Sequence, residues 1–214
     1  MKKQLVLFIL LLCCFSCASQ KKEIITKSTI KLEGRDTNIR DLIEIDGYYY
    51  MKEYPDSNCR IFFEDGVWVQ FSFNSDVSED KIKANLFKSV YEGRDKKISW
   101  GFRWGAYRIQ NDTIIVNCYS KWEFGRWSFS EDRYKVVDRE TVRRISYRGL
   151  LKADESSNKI YGTKLNQTFH FTSADSIPSS DNWLKQEKWI WRNESDWKDY
   201  MQKVEQKKKQ FKRK

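Results

Sequence analysis

Asp65-Gly66 stands between two runs of alternating apolar residues, Ile61-Phe62-Phe63-Glu64 on one side and Val67 to Phe73 on the other. An Asp-Gly pair in this setting is the strongest short-range hairpin signal, because the tight turn needs φ > 0 and glycine reaches it without a Cβ clash. On the second run Val67, Val69, Phe71 and Phe73 share one face at the strand period of two. An antiparallel pair of half-buried strands is therefore expected here, and everything around it must pack on a sheet.

The same texture continues along the chain. Residues 42–50, with Gly47 allowing close packing, read as a strand before the hairpin. Beyond it Ile98, Trp100, Phe102, Trp104 and Ala106 share a face, and Asn111-Asp112 is a tight turn into a strand at 113–119. Strands are expected at 122–129, 134–137, 142–150, 159–165 and 168–172, and a looser one at 26–33. Turn residues between them recur every 8 to 12 positions, which suggests a sandwich or a meandering barrel. A barrel closes its own edges, which a sheet this rich in aromatics needs. Trp, Tyr and Phe number 9, 11 and 13, and such residues favour strands. Two helices break the pattern. Residues 79–90 carry Ser78 as a cap, acidic residues in the first turn, and Ile82, Leu86 and Val90 four apart. Near the end, Ser195 can cap a helix whose Trp197, Tyr200, Met201 and Val204 form a stripe. The fold expected is mainly β, a single antiparallel barrel with one short helix and a C-terminal helix.

The N-terminus reads as an address. Met1-Lys2-Lys3 is basic, residues 5–15 are apolar but too short to span a bilayer, and Ser16 precedes Cys17. The arrangement resembles the bacterial lipobox, although Cys14 stands where that pattern prefers Leu. It implies a signal at 1–16, an acylated (palmitate-bearing) Cys17 as the membrane anchor, a polar tether at 17–25, a barrel domain at 26–204 and a basic tail at 205–214. Ala18 is not the Asp that retains lipoproteins in the inner membrane, so the outer membrane is the expected location in the cell envelope.

The net charge of +10 is unevenly placed. Lys2 and Lys3 leave with the signal, and residues 203–214 hold seven Lys or Arg against one Glu, so roughly +2 remains for the body. The basicity belongs to a tail and is no argument for nucleic-acid binding. The tail itself suits either solvent or anionic head groups. Two cysteines remain in the body. Cys118 alternates with Ile114 and Val116 and points into a core, while Cys59 follows a turn-like stretch. A Cys59–Cys118 disulfide and two buried thiols are equally compatible with an oxidising compartment.

Residues 47–50, 63–66, 104–114 and 176–184 together resemble, in this order, a family of small lipoproteins of Gram-negative Bacteroidota with a lipocalin-like barrel. The resemblance covers most of residues 42–192. It implies a fold and a compartment, and it carries over no catalytic or binding residues.

The chemistry argues mostly by exclusion. His170 is the one histidine; it alternates with Phe169 and Phe171 and faces away from the core. With no second histidine and no paired cysteines at ligand spacing, no metal site, cofactor or catalytic triad is expected. Glu123, Glu131 and Asp132 lie among Trp122, Trp127 and Phe129, so a carboxylate hydrolase is the weak enzymatic alternative. Trp100, Phe102 and Trp104 are the residues expected to line a ligand cavity at the barrel mouth. The leading expectation is a lipid-anchored barrel that binds a small apolar or amphipathic molecule. The alternative is a solid, non-enzymatic barrel that contacts another envelope protein.

Overall fold

The computed structural model of the chain describes residues 19–53, 59–72, 103–121, 127–151 and 164–211. Cys17, Trp100, Phe102, Glu123 and the helix expected at 79–90 lie outside the described residues.

The protein is mainly β. Eight strands close into an antiparallel barrel: β1 (Gly47–Tyr50), β2 (Cys59–Phe62), β3 (Val67–Phe71), β4 (Arg103–Gln110), β5 (Thr113–Lys121), β6 (Trp127–Asp138), β7 (Thr141–Gly149) and β8 (Lys164–Ser173). Each strand pairs with the next in the chain, and β8 returns to β1 in the register Gly47↔Ser173 to Tyr50↔His170. This up-and-down order is that of a lipocalin-like barrel and leaves no sheet edge unpaired. Gly47 makes the closure possible. A Cβ there would overlap the Thr172 carbonyl and come within 2.9 Å of the Phe171 ring.

The expected hairpin is present, with a different turn. Only Gly66 takes a positive φ, 83°, while Asp65 does not. Phe63 pairs with Val67 through its N–H, so the loop is Glu64-Asp65-Gly66. That is a three-residue connection with glycine in the left-handed position, not a two-residue turn. At the second tight turn Asn111 supplies the left-handed residue, φ 56°.

Other boundaries shift. Residues 42–45 are not part of β1; with the 3-10 turn at Ile39–Asp41 they fold across one end of the barrel. Residues 127–129 and 134–137, expected in separate strands, belong to one continuous β6 with register irregularities against β7, while 122–126 lie outside the described residues. The looser strand at 26–33 is reduced to a single parallel bridge, Leu32↔Trp191. Residues 19–27 are helical (α1), where a polar tether is expected up to residue 25 and a strand from residue 26, and Ile24 is fully buried. The C-terminal helix α2 (Glu194–Phe211) begins one residue before Ser195 and continues through most of the expected tail.

Strand alternation sorts the core into two clusters. The inner one draws Tyr49, Phe62, Trp68, Tyr107, Val116, Tyr134, Val142 and Phe169 from all eight strands, together with Ile39, Ile43 and Ile45. Phe62 is its hub, with edge-on contacts to Tyr49, Tyr107 and Tyr134 at centroid distances of 5.7, 5.9 and 5.8 Å. Each such pair adds about 0.5–1.5 kcal/mol beyond its buried area. The outer cluster lies on the barrel wall. Val67, Val69, Phe71, Trp104, Ala106, Ile115 and Phe129 are covered there by Ile24, Leu32, Leu184, Ile190, Trp191 and Tyr200. The stripe expected on α2 is borne out: Tyr200 is buried, and Trp197, Met201 and Val204 pack against the same cluster.

Two of the segments that carried the family resemblance meet on this wall. Asp65 of the hairpin accepts hydrogen bonds from Ser180 Oγ (2.5 Å) and Lys185 Nζ (2.9 Å). Lys185 is 7 % exposed and also lies 4.7 Å from the Tyr200 ring centroid. The ion pair and the ring together compensate a nearly buried ammonium.

Candidate functional site: a cationic layer inside the barrel

The two ends of the barrel differ. At one end the connections are short: 63–66, 111–112 and 139–140. Residues 39–45 plug this end, and the plug is fastened by Tyr49 Oη, which donates to the carbonyls of Glu44 (2.8 Å) and Arg139 (3.1 Å). The other end carries the remaining strand connections, 51–58, 72–102, 122–126 and 150–163.

Beneath this end the inward-facing positions change character. The register places Arg60 opposite Gln70 and Gln70 opposite Arg103. Cys118 stands opposite Ser130, Asp132 opposite Tyr147, and Arg144 opposite Gln167. All share the interior side of their strands. The lower half of the barrel is thus filled with aromatic rings, and a polar layer with three arginines lies on top of it.

The arginines are held differently. Arg60, 1 % exposed, donates from Nε to Tyr134 Oη at 2.8 Å, and its guanidinium lies 3.8 Å from the Phe169 ring centroid. Its charge rests on π faces, an arrangement open to a planar, weakly hydrated cation. Arg144 grips Asp132 by Nε (2.9 Å) and Nη2 (2.5 Å), both to Oδ1, and reaches Gln167 Oε1 at 3.1 Å through Nη1. Burial opposes the charged Arg144, yet the Asp132 carboxylate beside it holds its pKa above the ordinary value. The second Asp132 oxygen accepts the Cys118 thiol at 3.4 Å. Burial pushes that thiol's pKa up, and the negative charge of Asp132 adds to the effect. Arg103 donates from Nη2 to Ser130 Oγ at 2.6 Å. Two inward donors complete the layer and its floor. Ser120 Oγ and Trp68 Nε1 are buried and have no hydrogen-bond partner among the described residues.

This geometry rearranges the residues picked from sequence. Trp104 faces outward on β4, stacked with Phe63 at 6.5 Å, and lines no interior space. Cys59 belongs to the outer cluster and Cys118 to the inner one; both are buried thiols and no disulfide joins them. Glu131 and Asp132 are successive residues of β6 and so point to opposite faces, which prevents them from flanking one sugar. Asp132 is the interior one, fully buried and engaged by Arg144. His170 is partly exposed on the outer side of β8, as expected. Among the described residues no group of His, Cys, Asp and Glu is placed to hold a metal ion.

The arginine layer itself is what the residue-by-residue reading missed. Its signal was present as parity. Arg60, Arg103, Asp132 and Arg144 all stand at inward positions of strands whose inward residues nearer the plugged end are apolar, but parity is readable only after the register is known.

A groove of about 490 Å³ also runs along the outside, bordered by Ile30, Lys31, Asp36, Gly66, Tyr107 and Arg108. Its lining mixes both signs of charge and converges on no single group. Among the described residues no helix is long and apolar enough to cross a membrane. No protein-family model, no curated protein and no solved structure matches the chain.

Proposed function

We propose that this chain is a cell-envelope lipoprotein, anchored through acyl chains on Cys17, whose barrel binds a small molecule. One observation carries the binding reading. Toward one end the barrel is plugged and packed with aromatic rings, and on top of these rings it turns polar side chains inward, with Arg60, Ser120, Ser130 and Asp132 buried, where a solid barrel would continue its apolar packing. Buried polar groups are costly unless they meet partners, so an inward polar layer above an apolar floor is an arrangement suited to a bound molecule. The lipobox-like Ser16-Cys17 supports the anchor, and Ala18 supports the outer membrane.

Native mass spectrometry of the protein extracted gently from its own membranes tests this function. Extra mass that exceeds the acylated chain and is lost on denaturation is the expected result. A bare acylated chain under all gentle conditions would refute it. The second reading, a non-enzymatic barrel that contacts another envelope protein, draws on the filled aromatic half of the interior. In that case cross-linking in intact cells captures a protein neighbour while no small-molecule adduct is found.

A further inference from the structure

Among the described residues, Arg103 and Arg144 on the inward side of the barrel face one carboxylate, Asp132. That carboxylate is already occupied, Oδ1 by Arg144 and Oδ2 by the Cys118 thiol. Arg103 faces Asp132, Tyr147, Cys118 and Arg144 across the layer. Its one hydrogen bond among the described residues goes to a neutral hydroxyl, Ser130 Oγ, and no described carboxylate lies within 4 Å of it. A guanidinium presents five N–H donors in a fixed fork. Among the described residues one of the five is used, and Arg103 shares the inward side of the strands with the partnerless Ser120 Oγ.

The geometry points to a ligand with an anionic oxygen group, a carboxylate or a phosphate, held in the barrel by the Arg103 fork with Arg144 and Ser120 beside it. This rests on the binding function proposed above and adds the chemical class of the ligand. The donors explain why such a group is preferred to a neutral one. Arginine meets carboxylate and phosphate oxygens with two parallel N–H···O bonds, and charge-assisted bonds of this type are about twice as strong as neutral ones. Arg144 is already braced by Asp132 and Gln167, so it contributes field more than donors, while Arg103 contributes both. Asp132 acts as a positioning residue that fixes Arg144 and offers the ligand no free oxygen. The apolar part of such a molecule lies away from the floor of the barrel, which is filled by Trp68, Tyr134 and Phe169.

The test uses the full acylated chain in a mild detergent, titrated with octanoate, octyl phosphate and octanol, and read by tryptophan fluorescence with thermal unfolding as a second signal. Octanoate or octyl phosphate is expected to bind at least about tenfold more tightly than octanol, the worth of a charge-assisted hydrogen bond. The tighter of the two anions identifies the head group. Arg103→Gln is expected to erase that preference, and Arg103→Lys, which keeps the charge and loses the fork, to retain part of it. If Arg103→Gln fails to fold, the Lys variant carries the comparison, and unchanged anion affinity in it overturns the assignment of the fork. Equal affinity for octanol and octanoate overturns the anionic class and leaves the binding function standing. Failure of all three probes, together with a bare mass from native spectrometry, overturns both.

Discussion

Asp132→Asn exposes the logic of the interior most directly. The carboxylate is fully buried, and Arg144, with 13 % of its side chain exposed, meets it through two nitrogens. The substitution keeps the shape of the side chain and removes its charge, leaving Arg144 and Arg103 facing a neutral amide. Breaking a buried ion pair from one side costs about 3–5 kcal/mol, because the remaining charge is desolvated without compensation. The slight exposure of Arg144 favours the lower end of that range, about 3 kcal/mol. In urea, with a slope of about 2–3 kcal/mol/M for a chain of this size, the midpoint should fall by about 1 M at unchanged slope. Tryptophan fluorescence and far-ultraviolet circular dichroism should report the same shift. The paired variant Asp132→Asn/Arg144→Gln should recover much of the loss, since replacing both partners removes the stranded charge. A drop of less than about 0.5 kcal/mol in Asp132→Asn, the size of a surface substitution, would refute the reasoning. It would mean that water already reaches Arg144 freely and that the layer is solvated rather than desolvated.

Gly47→Ala should prevent β8 from closing on β1, because the added Cβ meets the Thr172 backbone, which cannot rotate away. Loss of near-ultraviolet dichroism and an early urea transition are expected. Ile24→Ala should cost about 2–4 kcal/mol, the usual value for a fully buried isoleucine, and render residues 19–27 accessible to trypsin at Lys21, Lys22 and Lys27; wild-type protection of these sites in the folded protein is the control. Burial raises the pKa values of Tyr49, Tyr107, Tyr119 and Tyr134 above the ordinary phenol value. A raised folded value favours the protonated form, so stability is fully present below about pH 10, the unfolded value, and is lost as pH rises beyond it. Phenolate absorbance and loss of tertiary dichroism should then rise together above about pH 10, and a phenolate titration completed in the folded state would contradict this. Cys59 and Cys118, both buried, should resist a thiol reagent at pH 8 in buffer and react in urea.

The strands were legible wherever one face met a core and local turn residues marked the ends. The Asp65-Gly66 hairpin, the Asn111-Asp112 turn and the stripe on α2 follow from period and turn chemistry alone. Residues 42–45 were not, because an apolar run that plugs a barrel and one that extends a strand share a composition, and only the backbone reversal at Asn38 separates them. Residues 19–25 carry the signal of a polar tether, since their one deeply buried anchor, Ile24, is too little for a periodic pattern. Burial on both sides of the wall misled the choice of cavity residues. Trp104 belongs to an aromatic face, but in β3 and β4 the outer face is as apolar as the inner one, so alternation gave no sense of direction. The arginine layer was hidden for the opposite reason: a charged residue inside a strand reads as solvent-facing until its neighbours across the sheet are known.

The docking of α1 has a mechanical consequence. Residue 19 is already helical, and Lys21 is tied to Glu187 at 2.9 Å on the far C-terminal segment. An anchor at Cys17 would stand two residues away, a span of at most about 7 Å. Such a domain has no leash. It would stay against the lipid head groups, sweep the bilayer in two dimensions and reach nothing deeper in the envelope by itself. Any exchange of cargo would take place at the membrane surface, with the other party coming to the barrel.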